Sequence, residues 1–368
     1  MNLTASTTIR KIATTPALQK TYREGFRGLP RTLYQPDSET GFERLGGTVF
    51  WSWGPKYTDD SAIINEGEDD ERVVDISDDS YNSPYDLFRT GVNTQVNFNI
   101  SGATEKIDYF FSAGSNKEEG VLPNTNYDRQ TFRFKGGYKV SDQFNINSSI
   151  SYTKAGGKRA NGGDKSVFSS FTYWSPTIPI NDYVNPDGSQ RNYTNGIIDN
   201  PRYFLENSSL VDDVNRWVGN ITLNWAPKEW INVMYSAQVD NYSDQRNRFV
   251  GPELDAGSQV GGFIVEQNIN FLGLESNLLV TMTKDWNEDF NTTLTLGNQV
   301  SDKTRDYAWI RGETLNIPGV NDLSNAINYF AGKTVAQTRE VGVFGEFKMA
   351  YKNKLFLSIT GRNDWISQ

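Results

Sequence analysis

The chain has 368 residues, with 45 Asp plus Glu against 36 Lys plus Arg, a net charge of −9, no His and no Cys. The missing residue types exclude Ser-His-Asp and Cys-His nucleophilic centres, imidazole or thiolate zinc sites, c-type haem attachment and any disulfide framework. The acidic balance argues against nucleic acid as a partner, because clustered Lys and Arg must replace counterions along a phosphate backbone.

Residues 1–10 lack the basic region and apolar run of a signal peptide, as expected of a stretch lying inside a longer protein. No segment approaches the roughly 18 to 20 consecutive apolar residues of a spanning helix, whereas a membrane barrel needs only about ten alternating residues per strand. Hydrophobic residues make up 36% of the chain and aromatics 13%, with Asn, Thr, Ser and Gly filling much of the rest, which suits sheets with one polar face.

In chain order, period-two alternation predicts an opening strand near residues 3–12, then strands over 92–100, 107–113, 131–138 and 144–152. The second is the clearest: Val92, Thr94, Val96, Phe98 and Ile100 share one face, and Asn93, Gln95, Asn97 and Asn99 the other. Alternation returns at 221–225 and 231–239, in a long segment ending at 278–283, and at 290–297, 341–351 and 355–361, for roughly eleven strands. Short links with turn-forming or charged residues lie at 102–105, 141–143, 226–229, 284–289 and 352–354, and read as hairpins. Between them stand long polar segments at 13–91, 115–129, 154–215, 243–262 and 301–337, which read as loops.

Short turn alternating with long loop is the asymmetry of an outer-membrane barrel. Tyr109, Tyr138, Phe144, Trp225, Trp230, Trp286, Phe290, Tyr351 and Phe356 all fall near the short turns, where an interfacial girdle would lie. The polar face carries Asn, Thr and Ser with a few charges such as Arg133, Lys135, Glu346 and Lys348, a mixture that a hydrated lumen tolerates. A secreted β-sandwich or solenoid also alternates; it differs in burying its apolar stripes against a second sheet.

Particular residues then carry a resemblance. Phe88-Arg89-Thr90-Gly91, the strand at 92–100, Ser101-Gly102, Tyr109-Phe110-Phe111-Ser112, Glu119-Gly120-Val121-Leu122-Pro123-Asn124-Thr125 and Arg129-Gln130-Thr131-Phe132 resemble the early barrel of SusC/RagA-type TonB-dependent outer-membrane transporters. Leu18-Gln19-Lys20-Thr21-Tyr22 with Gly25 and Gly28, and Ser52-Trp53-Gly54-Pro55-Lys56, look like that family's first long loop, and Gly361-Arg362-Asn363-Asp364-Trp365 like a mid-barrel strand end. The resemblance implies an all-β, antiparallel up-and-down transmembrane β-barrel with short periplasmic turns and long extracellular loops, about eleven strands of a probable 22. It implies import of oligosaccharides or peptides across a Gram-negative outer membrane, with outer-membrane lipid around the barrel, a SusD-like surface lipoprotein as lid, and drive from the TonB complex. Residues 1–368 are then expected to form a partial barrel domain, with plug domain, TonB box and the C-terminal half of the barrel absent, and to supply barrel wall and extracellular loops. The competing functional class is a surface or secreted β-rich protein that binds glycans without transport.

Candidate binding residues are loop aromatics. Trp51, Trp53 and Tyr57 could stack on sugar rings or hold apolar side chains at a barrel mouth, or pack their loop against a neighbour. Tyr173 and Trp174 carry the same two readings, beside Pro176 and Pro179, which stiffen that segment. Glu66, Glu68, Asp69, Asp70 and Glu71, followed by Asp75, Asp78 and Asp79, offer hard oxygen ligands for calcium but lack EF-hand spacing, and read as a solvated acidic loop. A carboxylate-pair glycosidase would need two acids flanking one cleft, and the acids here lie mostly in turns and loops, so no catalytic residue, metal site or cofactor is expected. Asn185-Pro186-Asp187-Gly188-Ser189 reads as an ordinary turn, and sequons such as Asn147-Ser148-Ser149 and Asn291-Thr292-Thr293 as products of composition.

Overall fold

The computed structural model describes residues 1–22, 25–26, 28–30, 53–54, 56, 61–65, 71–75, 83–163, 166–174, 179–191 and 198–367. Its main feature is one eleven-stranded antiparallel sheet in which every strand pairs with its sequence neighbour. The strands are β1 Asn2–Arg10, β2 Gly91–Ala103, β3 Ile107–Glu119, β4 Asn126–Ser141, β5 Phe144–Arg159, β6 Ser208–Lys228, β7 Ile231–Val250, β8 Phe263–Asn287, β9 Phe290–Leu315, β10 Ala326–Tyr351 and β11 Leu355–Ser367. Three short helices, α1 Val167–Tyr173, α2 Pro201–Asn207 and α3 Asp255–Ser258, lie in the connections. Two small hairpins, Gly25–Phe26 with Leu29–Pro30 and Ser61–Asn65 with Glu71–Asp75, lie in the first connection. No helix is long and apolar enough to cross a membrane among the described residues.

The period-two pattern sorts side chains into two faces, and the register carries the sorting across the sheet. Leu3, Phe98, Ala113, Phe132, Tyr152 and Trp217 form one in-register row. Ile231, Met282, Leu294, Phe347 and Ile359 form another. Among the described residues this apolar face packs on no second sheet: Ile150 is 49% exposed, Leu296 48% and Ile359 58%. A contiguous apolar surface across eleven strands far exceeds what a water-soluble monomer leaves bare, and the solvent that satisfies it is lipid. The predicted aromatics gather at the short-turn end, with Tyr109, Tyr138, Trp225 and Tyr351 exposed. Phe356, paired with Ala350, lies on the polar face.

The other face is a polar lattice. Asn224 donates to Asn145 across strands at 3.1 Å, Asn93 to Asn116 at 2.8 Å, and Gln299 to Glu275 at 3.1 Å. Cross-strand pairing of amides and acids satisfies the side chains without demanding burial.

The short connections close as predicted. Thr104 accepts from the backbone N–H groups of Lys106 and Ile107, Ser141 from Gln143, and Asn287 from Asp289. Lys352 and Asn353 take left-handed φ values of 53° and 52° to turn β10 into β11.

The long connections depart from expectation. The segments predicted as loops at 115–129, 154–215, 243–262 and 301–337 shrink to 120–125, 160–207, 251–262 and 316–325, because the strands run on through them. Strands β8, β9 and β10 have 25, 26 and 26 residues. A span needs only about 9–11 residues, so the remainder of each stands beyond the bilayer, where both faces are wet and neither must be apolar. Alternation is a signal of one buried face, and it fades where that face ends. The Gly120 to Thr125 stretch of the resemblance motif is a tight turn, closed by Gly120 N–H to the Thr125 carbonyl at 2.9 Å and pinned by Arg89 N–H on the Val121 carbonyl at 2.8 Å.

Candidate functional site

The 160–207 and 251–262 connections meet over the ends of β6 to β9 and build the larger of the buried clusters among the described residues. Val167, Phe171, Tyr203, Phe204, Leu205, Val250, Leu254 and Phe263 form a buried apolar cluster there, joined by Leu87, Leu122 and Ile180. The cluster is locked by polar groups. Asn200, fully buried, caps α2 by accepting from Arg202 and Tyr203 N–H at 2.8 and 3.3 Å, and its amide donates to the Ile180 carbonyl at 3.0 Å. Gln190 binds Asp199 and Glu253, and Asp199 accepts from Asp255 N–H at 3.0 Å, tying the 160–207 and 251–262 connections together. Burial first, and then the hydrogen bond to Glu253, push the Tyr203 phenol above its ordinary value, so it remains a donor.

Beneath this cap, on the polar face, lies a cavity of about 500 Å³ lined by Arg159, Asn161, Leu210, Asp212, Val214, Asp244, Arg246, Arg248, Val265 and Gln267. The strands place these groups by parity. Arg248 pairs with Val265 and Arg246 with Gln267, so alternate residues on β7 and β8 face the same space. Arg159 meets Asp212 at 2.7 Å and Arg246 meets Asp244 at 2.6 Å, with both carboxylates only 10% exposed. The three guanidiniums and two carboxylates of the lining leave one positive charge. Two polar atoms bordering the cavity are buried without a partner among the described residues: Asn161 Nδ2 and Asp212 Oδ1.

A second cavity of about 240 Å³ lies further down the same strands, lined by residues that include Val218, Gln238, Asp240, Phe271, Glu275 and Lys303. Along β7, Arg248 and Asp240 are eight residues apart, about 27 Å at the rise of a strand. Asp240 is held by a two-pronged bond from Arg216 at 2.8 and 2.6 Å.

The sequence-predicted aromatics fall elsewhere. Trp53 is 74% exposed and its carbonyl accepts from Gly28 N–H at 2.8 Å. Tyr173 ends α1 and is exposed, whereas Trp174 next to it is only 5% exposed and sits in the cap. Trp51 and Tyr57 lie outside the described residues, as do Pro176 and most of the acidic run, Glu66, Glu68, Asp69, Asp70, Asp78 and Asp79. Among the described residues no group of three or more acidic side chains is disposed to hold a metal ion. The turn at Asn185 to Ser189 forms, with Gly188 at φ 88°.

The cavity residues were not singled out from sequence. Arg159, Asp212, Arg246 and Arg248 lie in stretches that read as loops; the available signal was the period-two run Asp244, Arg246, Arg248.

No family model matches the chain. Two curated relatives from Formosa agariphila do: TonB-dependent receptor P26, 23% identical over 295 residues, and TonB-dependent receptor P3, 26% identical over 298 residues. The alignments cover 72% and 76% of this chain but only 27% and 29% of those relatives, so the chain spans under a third of their length. Among solved structures, the RagAB peptide importer in its closed-closed state superposes with a TM-score of 0.65 at 14% identity, over 82% of this chain and 35% of that one. The RagAB peptide transporter gives 0.63 at 15%, over 78% and 33%. The shared fold is the barrel wall.

Proposed function

We propose that this chain, an outer-membrane β-barrel segment similar to TonB-dependent receptors of the SusC/RagA type, forms wall and mouth of a nutrient importer for oligosaccharides or peptides. The observation that carries the reading is the division of one sheet into an apolar face open to lipid and a polar face bearing two cavities in line along β6 to β9. A lumen needs wet, charged walls along its length, and a membrane protein needs the opposite outside.

In this reading the loop aromatics Trp51, Trp53, Tyr57, Tyr173 and Trp174 meet ligand at the mouth or pack their loops against a neighbour or a covering SusD-like lipoprotein. Energy comes from the TonB complex acting on other parts of the receptor. No step requires a catalytic group or a cofactor. The rival reading, a soluble glycan binder, requires a second sheet over the apolar face, and the open apolar rows speak against it.

The test is deletion of the receptor gene in its host, with uptake of fluorescent oligosaccharides and peptides followed with and without complementation. Loss of uptake of one class, restored by the gene, is expected. Unchanged uptake of both, or recovery of the protein in the soluble fraction, would overturn the proposal.

A further inference from the structure

The cavity under the cap is unusual in how its charges are matched. Arg159 and Arg246 each have a carboxylate, Asp212 and Asp244, at ion-pair distance. Arg248 lines the same cavity, is exposed to it, and has no carboxylate or hydrogen-bond acceptor among the described residues. Its guanidinium instead lies 5.3 Å from the ring centre of the buried Phe263, which also receives Arg311 at 4.3 Å. Stacking on a ring fixes the plane of a guanidinium while leaving its N–H edge free, the arrangement suited to a two-pronged bond with a planar anion.

A second observation points the same way. Asn161, 3% exposed, borders the cavity with its Nδ2 donor unmet by any described residue. An unmet buried donor costs free energy that an arriving oxygen would recover. No aromatic ring lines the cavity among the described residues, so it offers no stacking platform for a neutral sugar. The chemistry it does offer is for a planar, charged oxygen pair, with Asp212 Oδ1 as acceptor for a neighbouring N–H or O–H.

We infer that this cavity is a carboxylate subsite, in which Arg248 binds a carboxylate of the imported ligand beside Asn161. The inference rests on the importer reading and adds to it a chemical class of cargo: oligomers bearing a carboxylate, whether a peptide chain end or a uronic acid residue. Arg159 and Arg246 are already neutralised and act as walls, which confines the anion to one position.

The experiment uses the intact receptor purified in detergent, with calorimetric titration of two matched pairs: a tripeptide acid and its C-terminal amide, and a tri-uronate and its methyl ester. In the wild type the acid of one pair should bind at least about tenfold more tightly than its neutral counterpart, the usual weight of a charge-assisted bond, and that pair identifies the source. Arg248→Gln should abolish the preference, bringing acid and neutral forms to equal affinity, while Arg216→Gln, which removes the bond to Asp240 at the lower cavity, should preserve it. A heat-modifiable gel shift verifies that each variant is folded. Equal binding of acid and neutral forms in both pairs, no binding of any of the four, or a preference that survives Arg248→Gln would overturn the subsite. Uptake in cells separates this from the importer reading: a receptor that imports but shows no acid preference loses the subsite alone, whereas one that restores no uptake loses the reading on which it rests.

Discussion

The phenol of Tyr203 donates a 2.6 Å hydrogen bond to the carboxylate of Glu253, joining two connections that lie 50 residues apart in the chain. Glu253 also accepts from Gln190 N–H at 2.9 Å, so one carboxylate holds both sides of the cap. Tyr203→Phe should loosen the cap by about 1 kcal/mol, the usual net worth of such a bond. Amide hydrogen exchange of α2 and residues 251–262 should accelerate accordingly, with the barrel strands unaffected.

The same phenol sets an alkaline limit. Its folded-state pKa is raised above the ordinary 10.0, so the stabilisation is complete below that value and falls as pH rises past it, where the open cap can ionise and the closed cap cannot. Protease cleavage of the cap should increase above about pH 10, and Tyr203→Phe should flatten that dependence.

Asn200 provides three hydrogen bonds from one buried side chain, two to the start of α2 and one to the Ile180 carbonyl. Asn200→Ala removes a helix cap and strands a carbonyl, for a loss of about 2 kcal/mol in cap stability. Limited proteolysis at the 160–207 connection is the measurement, and protection equal to wild type would contradict the assignment.

Lower on the wall, Leu294 and Thr295 are consecutive residues on opposite faces of β9, Leu294 in the apolar row with Met282 and Phe347. Leu294→Arg should destabilise insertion by about 2–4 kcal/mol, as for a cation near the bilayer midplane, and Thr295→Arg by far less. Folding titrations in vesicles distinguish the two, and equal effects would mean the faces are assigned wrongly.

Gly297 is covered by the ring of its cross-strand partner Phe344, and an added Cβ would come to 2.2 Å from that ring. Arg362 lies over the same ring at 5.3 Å, so the ring is held from β11 as well. Gly297→Ala should cost about 1–3 kcal/mol by overpacking and disturb the Arg362 contact to Gln299. The fluorescence and denaturation midpoint of the intact receptor would report it.

The lower halves of the strands were legible because lipid on one side and water on the other impose alternation, as in Val92 to Ile100 or Ile231 to Val239. The upper halves were not. In the stretch of β7 from Ser243 to Val250 both faces carry Asn, Gln, Asp or Arg, so the periodicity that defines a half-buried strand is missing although the ladder continues. The candidate site sits in that unreadable zone, which is why aromatics in 51–57 and 173–174 drew notice and Arg248 did not. Trp174 illustrates the opposite error: a ring conspicuous in a polar segment proves to be buried, at 5% exposure, rather than offered to a ligand.

Strands that continue well beyond the bilayer also bear on how such a wall can change over generations. A mouth built of flexible loops alters its preference by insertions and deletions, which move everything nearby. A mouth built of backbone ladders holds its bore fixed by hydrogen bonds that no side chain supplies, so a single exchange at a position such as Arg248 rewrites the chemistry of the passage and leaves its dimensions untouched. Cargo preference would then drift one residue at a time, at alternate positions on the inward face.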